Sequence, residues 1–270
     1  MPYPTPNHGA DLPRAHTIAE VRIETPTIRT FVLEGEIEAQ PGQFVMAWLP
    51  RLDEKPFSLS GAAPIALTVD RVGPFSTALH ALAPGDRLWL RGPYGRPFTL
   101  PAGGGPLLLV SGGCGVAPLL YLARVARRAG HPVHAVLGAR AAAGLPLEDE
   151  FVALGCAVHV ATDDGSAGAP GTSLDLAAAL LDTVQIAPAE LYACGPEPML
   201  EGVYRLALTH NLSCQLSYEA YMRCALGVCG SCARGDRLVC RDGPVFPAPP
   251  TTPDQQERTP NHGPHGTWGT

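Results

Sequence analysis

Segment 224–240 concentrates the side chains best suited to chemistry: Cys224, Cys229, Cys232 and Cys240, four of the chain's eight cysteines, spaced C-x4-C-x2-C and then seven residues to the fourth. Thiolates this close together are soft ligands for iron or zinc. The first three follow the plant-type spacing of a [2Fe–2S] centre, whereas zinc sites usually present two separated C-x2-C pairs and this segment has one. Gly227 and Gly230 suit a loop that must wrap round inorganic sulfide and aim N–H groups inward. A structural zinc site is the alternative, and it would make the segment a non-enzymatic interaction module. For the fourth ligand Cys240 competes with Cys214. Cys214 lies in SCQLSYEA, which alternates like a strand and suits a core thiol, while the Gly235-Asp236 turn can bring Cys240 back to the loop.

A second group of residues suits phosphates and flat rings. Gly112, Gly113 and Gly115 in GGCGVAP follow an apolar run and precede a helical pattern, an arrangement that lets phosphates approach the backbone and a helix N-terminus. It is not G-x-G-x-x-G, so a standard dinucleotide fingerprint is absent. Cys194, Gly195 and Pro196 close a later strand in the same manner. Lys55, Pro56, Phe57 and Ser58 offer a cation, an aromatic ring and a hydroxyl, fit for a phosphate, a flat ring and a ring heteroatom. Gly73, Ser76 and Thr77 in GPFST open a helical piece and form a second anion-binding start. Arg140 follows the second buried strand, where it could meet a 2′-phosphate or begin a solvated loop. Taken singly, each turn also reads as ordinary punctuation.

These residues need elements to position them. From about 14 to 102 the chain reads as six short strands at roughly ten-residue spacing, with Gly or Pro at most breaks and one helical piece at 75–82, the pattern of a small closed β barrel. From 103 to 212 the period changes: LLLVSG, PVHAVLG, AVHVAT and ELYACG alternate with helical stretches, the signature of an α/β parallel, doubly wound sheet with its ligand at the strands' carboxyl ends. Residues 213–246 then form a small C-terminal metal-binding unit. Segments 1–13 and 247–270 are polar and proline-rich, so disordered tails are expected, and His262 and His265 there are poor candidates for ligands.

Composition excludes several classes. A 46% hydrophobic fraction supports real cores, and a net charge of −6 without a basic cluster argues against nucleic acid. Segment 97–123 carries no charge, but six glycines and four prolines make it a strand, turn and helix rather than a membrane span. Eight cysteines without a signal peptide fit a reducing cytoplasmic setting. There is no Ser-His-Asp or paired-carboxylate constellation, which suits chemistry carried by cofactors.

In this order, the motifs resemble the ferredoxin reductase family of flavoproteins, and within it the electron-transfer subunits of two-subunit, NAD-dependent dihydroorotate dehydrogenases. The likeness spans about residues 14–246. Lys55-Pro56-Phe57-Ser58 is similar to that group's Arg-Pro-x-Ser flavin stretch, with Lys for Arg, and Gly73 to Thr77 to its flavin pyrophosphate turn. TDDGS at 162–166, Glu219-x-x-Met222-x-Cys224 and CRDGPVF at 240–246 add to it. Ala225 stands where glycine is expected, and the gap before Cys240 is shorter than usual. The resemblance implies FAD, NAD and a [2Fe–2S] cluster held by Cys224, Cys229, Cys232 and Cys240. It also implies a separate FMN-containing dihydroorotate dehydrogenase catalytic subunit, assembled as a heterotetramer that serves pyrimidine biosynthesis. The competing flavoprotein expectation is a stand-alone NAD(P)H-dependent reductase feeding an acceptor such as an oxygenase.

Overall fold

The computed structural model describes residues 12–183 and 186–248. Most of both expected tails, with His262 and His265, lies outside the described residues.

The first half closes into an antiparallel barrel of six strands, β1 (Arg14–Ile23), β2 (Ile28–Leu33), β3 (Phe44–Leu49), β4 (Asp53–Ala62), β5 (Ile65–Asp70) and β6 (Arg87–Tyr94), in the order β1-β2-β5-β4-β3-β6. Closure depends on β4, which pairs β3 along residues 53–58 and β5 along residues 59–62. Strand alternation sends Ile18, Phe31, Leu33, Val45, Leu59, Leu67 and Leu88 inward. Helix α1 (Pro74–His80) plugs the barrel with Phe75 and Leu79. The expected strands and single helical piece are all present.

The second half is a seven-stranded sheet. Strands β7 (Leu107–Gly112), β8 (Val133–Ala139), β9 (Ala157–Thr162), β10 (Ala169–Pro170), β11 (Glu190–Cys194) and β12 (Cys214–Ser217) run parallel in the order β10-β9-β8-β7-β11-β12. Helices α2 (Val116–Arg128) and α3 (Glu148–Ala153) cover one face. The other face carries α4 (Ser173–Asp182) and α5 (Glu197–Thr209). The order of strand addition reverses at β7, whose two parallel neighbours are β8 and β11, and the crevice at such a switch point is where doubly wound sheets bind ligands. α2 docks the sheet domain on the barrel through Tyr121 Oη donating to Ala39 O (2.6 Å) and Arg124 Nη1 to Ser60 O (2.7 Å), with Arg124 also paired to Glu150.

The C-terminal segment is less separate than the sequence suggested. It holds a two-stranded piece, β13 (Ala233–Arg234) and β14 (Arg237–Leu238), the one-turn helix α6 (Val239–Asp242) and β15 (Val245–Ala248). β15 pairs antiparallel with β12 and carries Pro247 and Ala248, assigned above to the tail, into the sheet. Burial of Leu216 and Val245 drives that pairing, and Gln215 exchanges hydrogen bonds with the Thr99 backbone at 2.8 and 2.9 Å. Among the described residues no helix is long and apolar enough to cross a membrane, and 97–123 folds as β7 and most of α2 with their connections.

Candidate functional site

A cleft of about 1110 Å³ opens between the barrel and the carboxyl ends of β7, β8, β11 and β12. The sheet supplies Gly112, Gly113 and Gly115 on one side and Cys194, Gly195 and Pro196 beside them; the barrel supplies Pro56, Phe57 and Ser58. Phe57 presents a half-buried ring stacked on Phe75 of α1, with centroids 5.9 Å apart and planes at 28°. Two glycine turns and the aromatic middle of β4, distant in sequence, thus share a single cavity, which also takes in Arg140 and Asp163.

The glycines do different work. Gly113 has φ +54° with nothing within 4 Å of a Cβ position, so it keeps an open backbone surface toward the cleft. A Cβ on Gly115 would overlap the Cys194 carbonyl, so the packing of one turn against the other itself requires this glycine. The two turns therefore form one rigid floor.

Other expected contacts are placed elsewhere. Lys55 is not among the residues lining the cleft: its Nζ lies 2.6 Å from Asp53 Oδ2 and 5.3 Å from the Tyr221 ring centroid. Asp53, two residues back on the same strand face, captures the cation. Gly73, Ser76 and Thr77 flank the cleft behind Val72 without lining it. Ser76 Oγ accepts from the N–H groups of Val72 (2.9 Å) and Gly73 (3.0 Å), which uses it as a helix cap, and Thr77 is exposed.

Nothing in the sequence singled out Thr68, Val69 and Asp70 at the end of β5, nor Ser217, which line the cleft together with Cys114 of the glycine turn. Glu219 and Met222, noted only as part of a family pattern, line it as well. The Glu219 carboxyl is open to the cleft, yet desolvation by the surrounding walls raises its pKa. Burial likewise pushes the thiols of Cys114 and Cys194 up to about 12, so both remain neutral thiols near pH 7. Cys114 Sγ donates to Thr68 O at 3.4 Å and joins the glycine turn to the barrel.

At the far side of Met222 lies the cysteine loop. Among the described residues no group of three or more His, Cys, Asp or Glu side chains is placed to hold a metal ion. Backbone N–H groups link the four cysteines in twos: the Cys229 N–H reaches Cys224 Sγ at 3.5 Å, and the Cys240 N–H reaches Cys232 Sγ at 3.4 Å. Leu226 N–H also points at Cys224 Sγ, at 3.4 Å. A two-iron cluster takes its thiolates in two pairs, one per iron, so cysteines linked in twos with N–H groups aimed at sulfur fit it better than a lone tetrahedral ion. Hydrogen bonds from Ser231 and then Cys224 lower the exposed Cys229 thiol to about 6, while burial pushes Cys240 up to about 12. Cys214 sits in the core between β12 and α5, away from these four.

The loop is fastened to the barrel. Phe44 and Met46 of β3 share an apolar core with Met222, Ala225, Cys232, Val239 and Cys240. Arg91 of β6 donates from Nε and Nη2 to Glu54 at 2.6 and 2.7 Å, and from Nη1 to Tyr94 Oη and Cys224 O, each at 3.0 Å. Burial alone would lower the Arg91 pKa; the bonds to Glu54 and Tyr94 outweigh it and leave the guanidinium firmly charged. Neither Arg91 nor Glu54 stood out in the sequence, because single charges on two strands separated by β3 read as solvated surface.

Residues 219–250 match the family model of the iron–sulfur cluster binding domain of dihydroorotate dehydrogenase B. A Thermococcus kodakarensis protein named probable dihydroorotate dehydrogenase B (NAD(+)), electron transfer subunit, is 44% identical over 233 residues, 86% of this chain and 95% of that protein. A Methanopyrus kandleri protein of the same name is 44% identical over 225 residues, 81% of this chain and 84% of that one. Among solved structures, the NADH-dependent reduced ferredoxin-NADP oxidoreductase studied for flavin-based electron bifurcation superposes with a TM-score of 0.78 at 28% identity, covering 86% of this chain and 87% of that chain.

Proposed function

Because this chain belongs to the family of dihydroorotate dehydrogenase B electron transfer subunits, we propose that it passes electrons between NAD and a dihydroorotate-oxidising partner through FAD and a [2Fe–2S] cluster, in pyrimidine biosynthesis. When bound, FAD exchanges a hydride with the nicotinamide and single electrons with the cluster, so the protein supplies position and electrostatics rather than a general base. On the barrel side Phe57 offers a ring face to the flavin, Ser58 a hydroxyl, and Pro56 with the ends of β5 the remaining wall. On the sheet side the open backbone at Gly113 and the Gly112, Gly115, Cys194, Gly195 and Pro196 floor receive the nicotinamide. Cys224, Cys229, Cys232 and Cys240 would hold the cluster, which would supply one-electron chemistry.

One observation carries this reading. Phe44 and Met222 line the cleft and also belong to the core that contains Cys232 and Cys240. A single layer of side chains therefore separates the cleft from the cysteine loop, and electrons need cross only that layer. In the same segment as the exposed Cys229, Tyr221, Leu226 and Val228 are exposed large hydrophobic residues. They form the face on which an FMN-containing catalytic subunit docks, in a cytoplasmic heterotetramer. The test is composition. The purified full chain should carry about one FAD, two irons and two sulfides; stoichiometric zinc without flavin would replace this reading with an interaction module.

A further inference from the structure

Arg91 is a cation in the middle of a barrel strand with a side chain only 10% exposed. Enclosing a guanidinium and a carboxylate is costly, and apolar residues of similar size often hold a fold as well, so stability is weak grounds for the Arg91–Glu54 pair. The fork does something an apolar residue cannot: with two nitrogens fixed on Glu54, Nη1 is aimed at the Cys224 carbonyl, 3.0 Å away. That carbonyl belongs to the peptide leading into Ala225, which has φ +60°, a left-handed conformation unfavourable for any residue with a Cβ. The left-handed turn is what brings the Leu226 and Cys229 N–H groups to within 3.4 and 3.5 Å of Cys224 Sγ.

We infer that Arg91 is a positioning residue for the cluster: braced by Glu54, it holds the Cys224 carbonyl and the turn that directs two backbone N–H groups at the Cys224 sulfur. This rests on the reading of Cys224 as an iron ligand. Groups that orient metal ligands are themselves costly to remove, and hydrogen bonds to cluster sulfurs favour the more negative, reduced state and so raise the reduction potential. Arg91 thus ties the electronic properties of the cluster to the flavin barrel.

The test uses the full-length protein with its cofactors and two variants. Arg91→Lys keeps a charge for Glu54 without the fork, and the double variant Arg91→Met/Glu54→Met removes both charges so that neither is left buried alone. Arg29→Met is the structural control, because Arg29 Nη1 caps His80 O at the α1 end of the barrel. FAD per chain, iron retention against a chelator and the cluster midpoint from a redox titration followed by electron paramagnetic resonance are measured for each. Both Arg91 variants should keep FAD, lose iron faster by on the order of 10- to 100-fold and show a lower midpoint. Arg29→Met should lower the melting temperature alone. Parent-like iron retention and midpoint in both Arg91 variants would overturn the inference. A parent chain with no iron–sulfur absorption would overturn it too, by removing the cluster reading on which it rests.

Discussion

The cleft and the cysteine loop lie on opposite sides of Phe44 and Met222, but they are built in different ways. The cleft is made from regular elements: its walls are strand termini and the middle of β4, with positions set by two extensive cores, and its floor is two glycine turns packed against each other. The loop has almost no regular structure between Met222 and β13, and Ala225, Gly227 and Gly230 all take positive φ. Its shape comes from a small core shared with β3, from Arg91 and from N–H groups turned toward sulfur. A site built from regular elements is preformed, while one built from a loop depends on its ligand for the rest of its stability. Damage to one should therefore leave the other largely intact.

The largest expected effect divides the two regions outright. Cys240→Ser should abolish the iron–sulfur absorption while FAD and its reduction by NADH persist, and Cys214→Ser should keep the cluster, since Cys214 is a core thiol beside α5. The reverse result for the pair would assign the fourth ligand to Cys214. The mirror experiment is Gly115→Val. Its side chain would collide with the Cys194 carbonyl, costing about 3 kcal/mol in forced movement of the floor. NADH should then fail to reduce the flavin although iron content per chain holds. Unchanged flavin reduction would show that the two turns can part without loss.

How much of this was legible depends on where the determinants lie. Strand alternation and the change of period near Pro106 gave the barrel and the parallel sheet, because burial on one or both faces leaves a pattern in the chain itself. The cysteine spacing named the cluster for the same local reason. What escaped depends on partners far apart in sequence. Gly115 was legible as a turn glycine, but its packing against Cys194 cannot be read from neighbours. Lys55 has a near partner in Asp53, two residues back, but its place over the Tyr221 ring could not be read from neighbours. Arg91 and Glu54 meet only when β6 and β4 flank β3, and β15 joins β12 only across the whole cysteine segment.

Smaller effects sharpen the contrast. Ala225→Gly should stabilise the loop by about 1 kcal/mol, since glycine takes φ +60° without the Cβ penalty. It should appear as slower loss of iron absorption on heating, with no change in flavin retention. No gain would mean that the buried Ala225 methyl, packed with Met222 and Cys232, is worth as much as the strain it causes. The smallest effect is expected from Lys55→Ala, which removes a partly exposed pair with Asp53 worth roughly 0.5 kcal/mol. FAD occupancy should stay at the parent level, and its loss would show Lys55 leaving Asp53 for the flavin phosphate.

The most direct measurement of the central claim is anaerobic titration of the purified chain with NADH, followed at once by visible absorption and by electron paramagnetic resonance. Electrons entering at the cleft and crossing the Phe44 and Met222 layer should bleach the flavin and then produce the signal of a reduced [2Fe–2S] cluster, with Cys240→Ser stopping after the first stage. A flavin that NADH reduces fully while an intact cluster stays oxidised, although dithionite can reduce it, would contradict the relay.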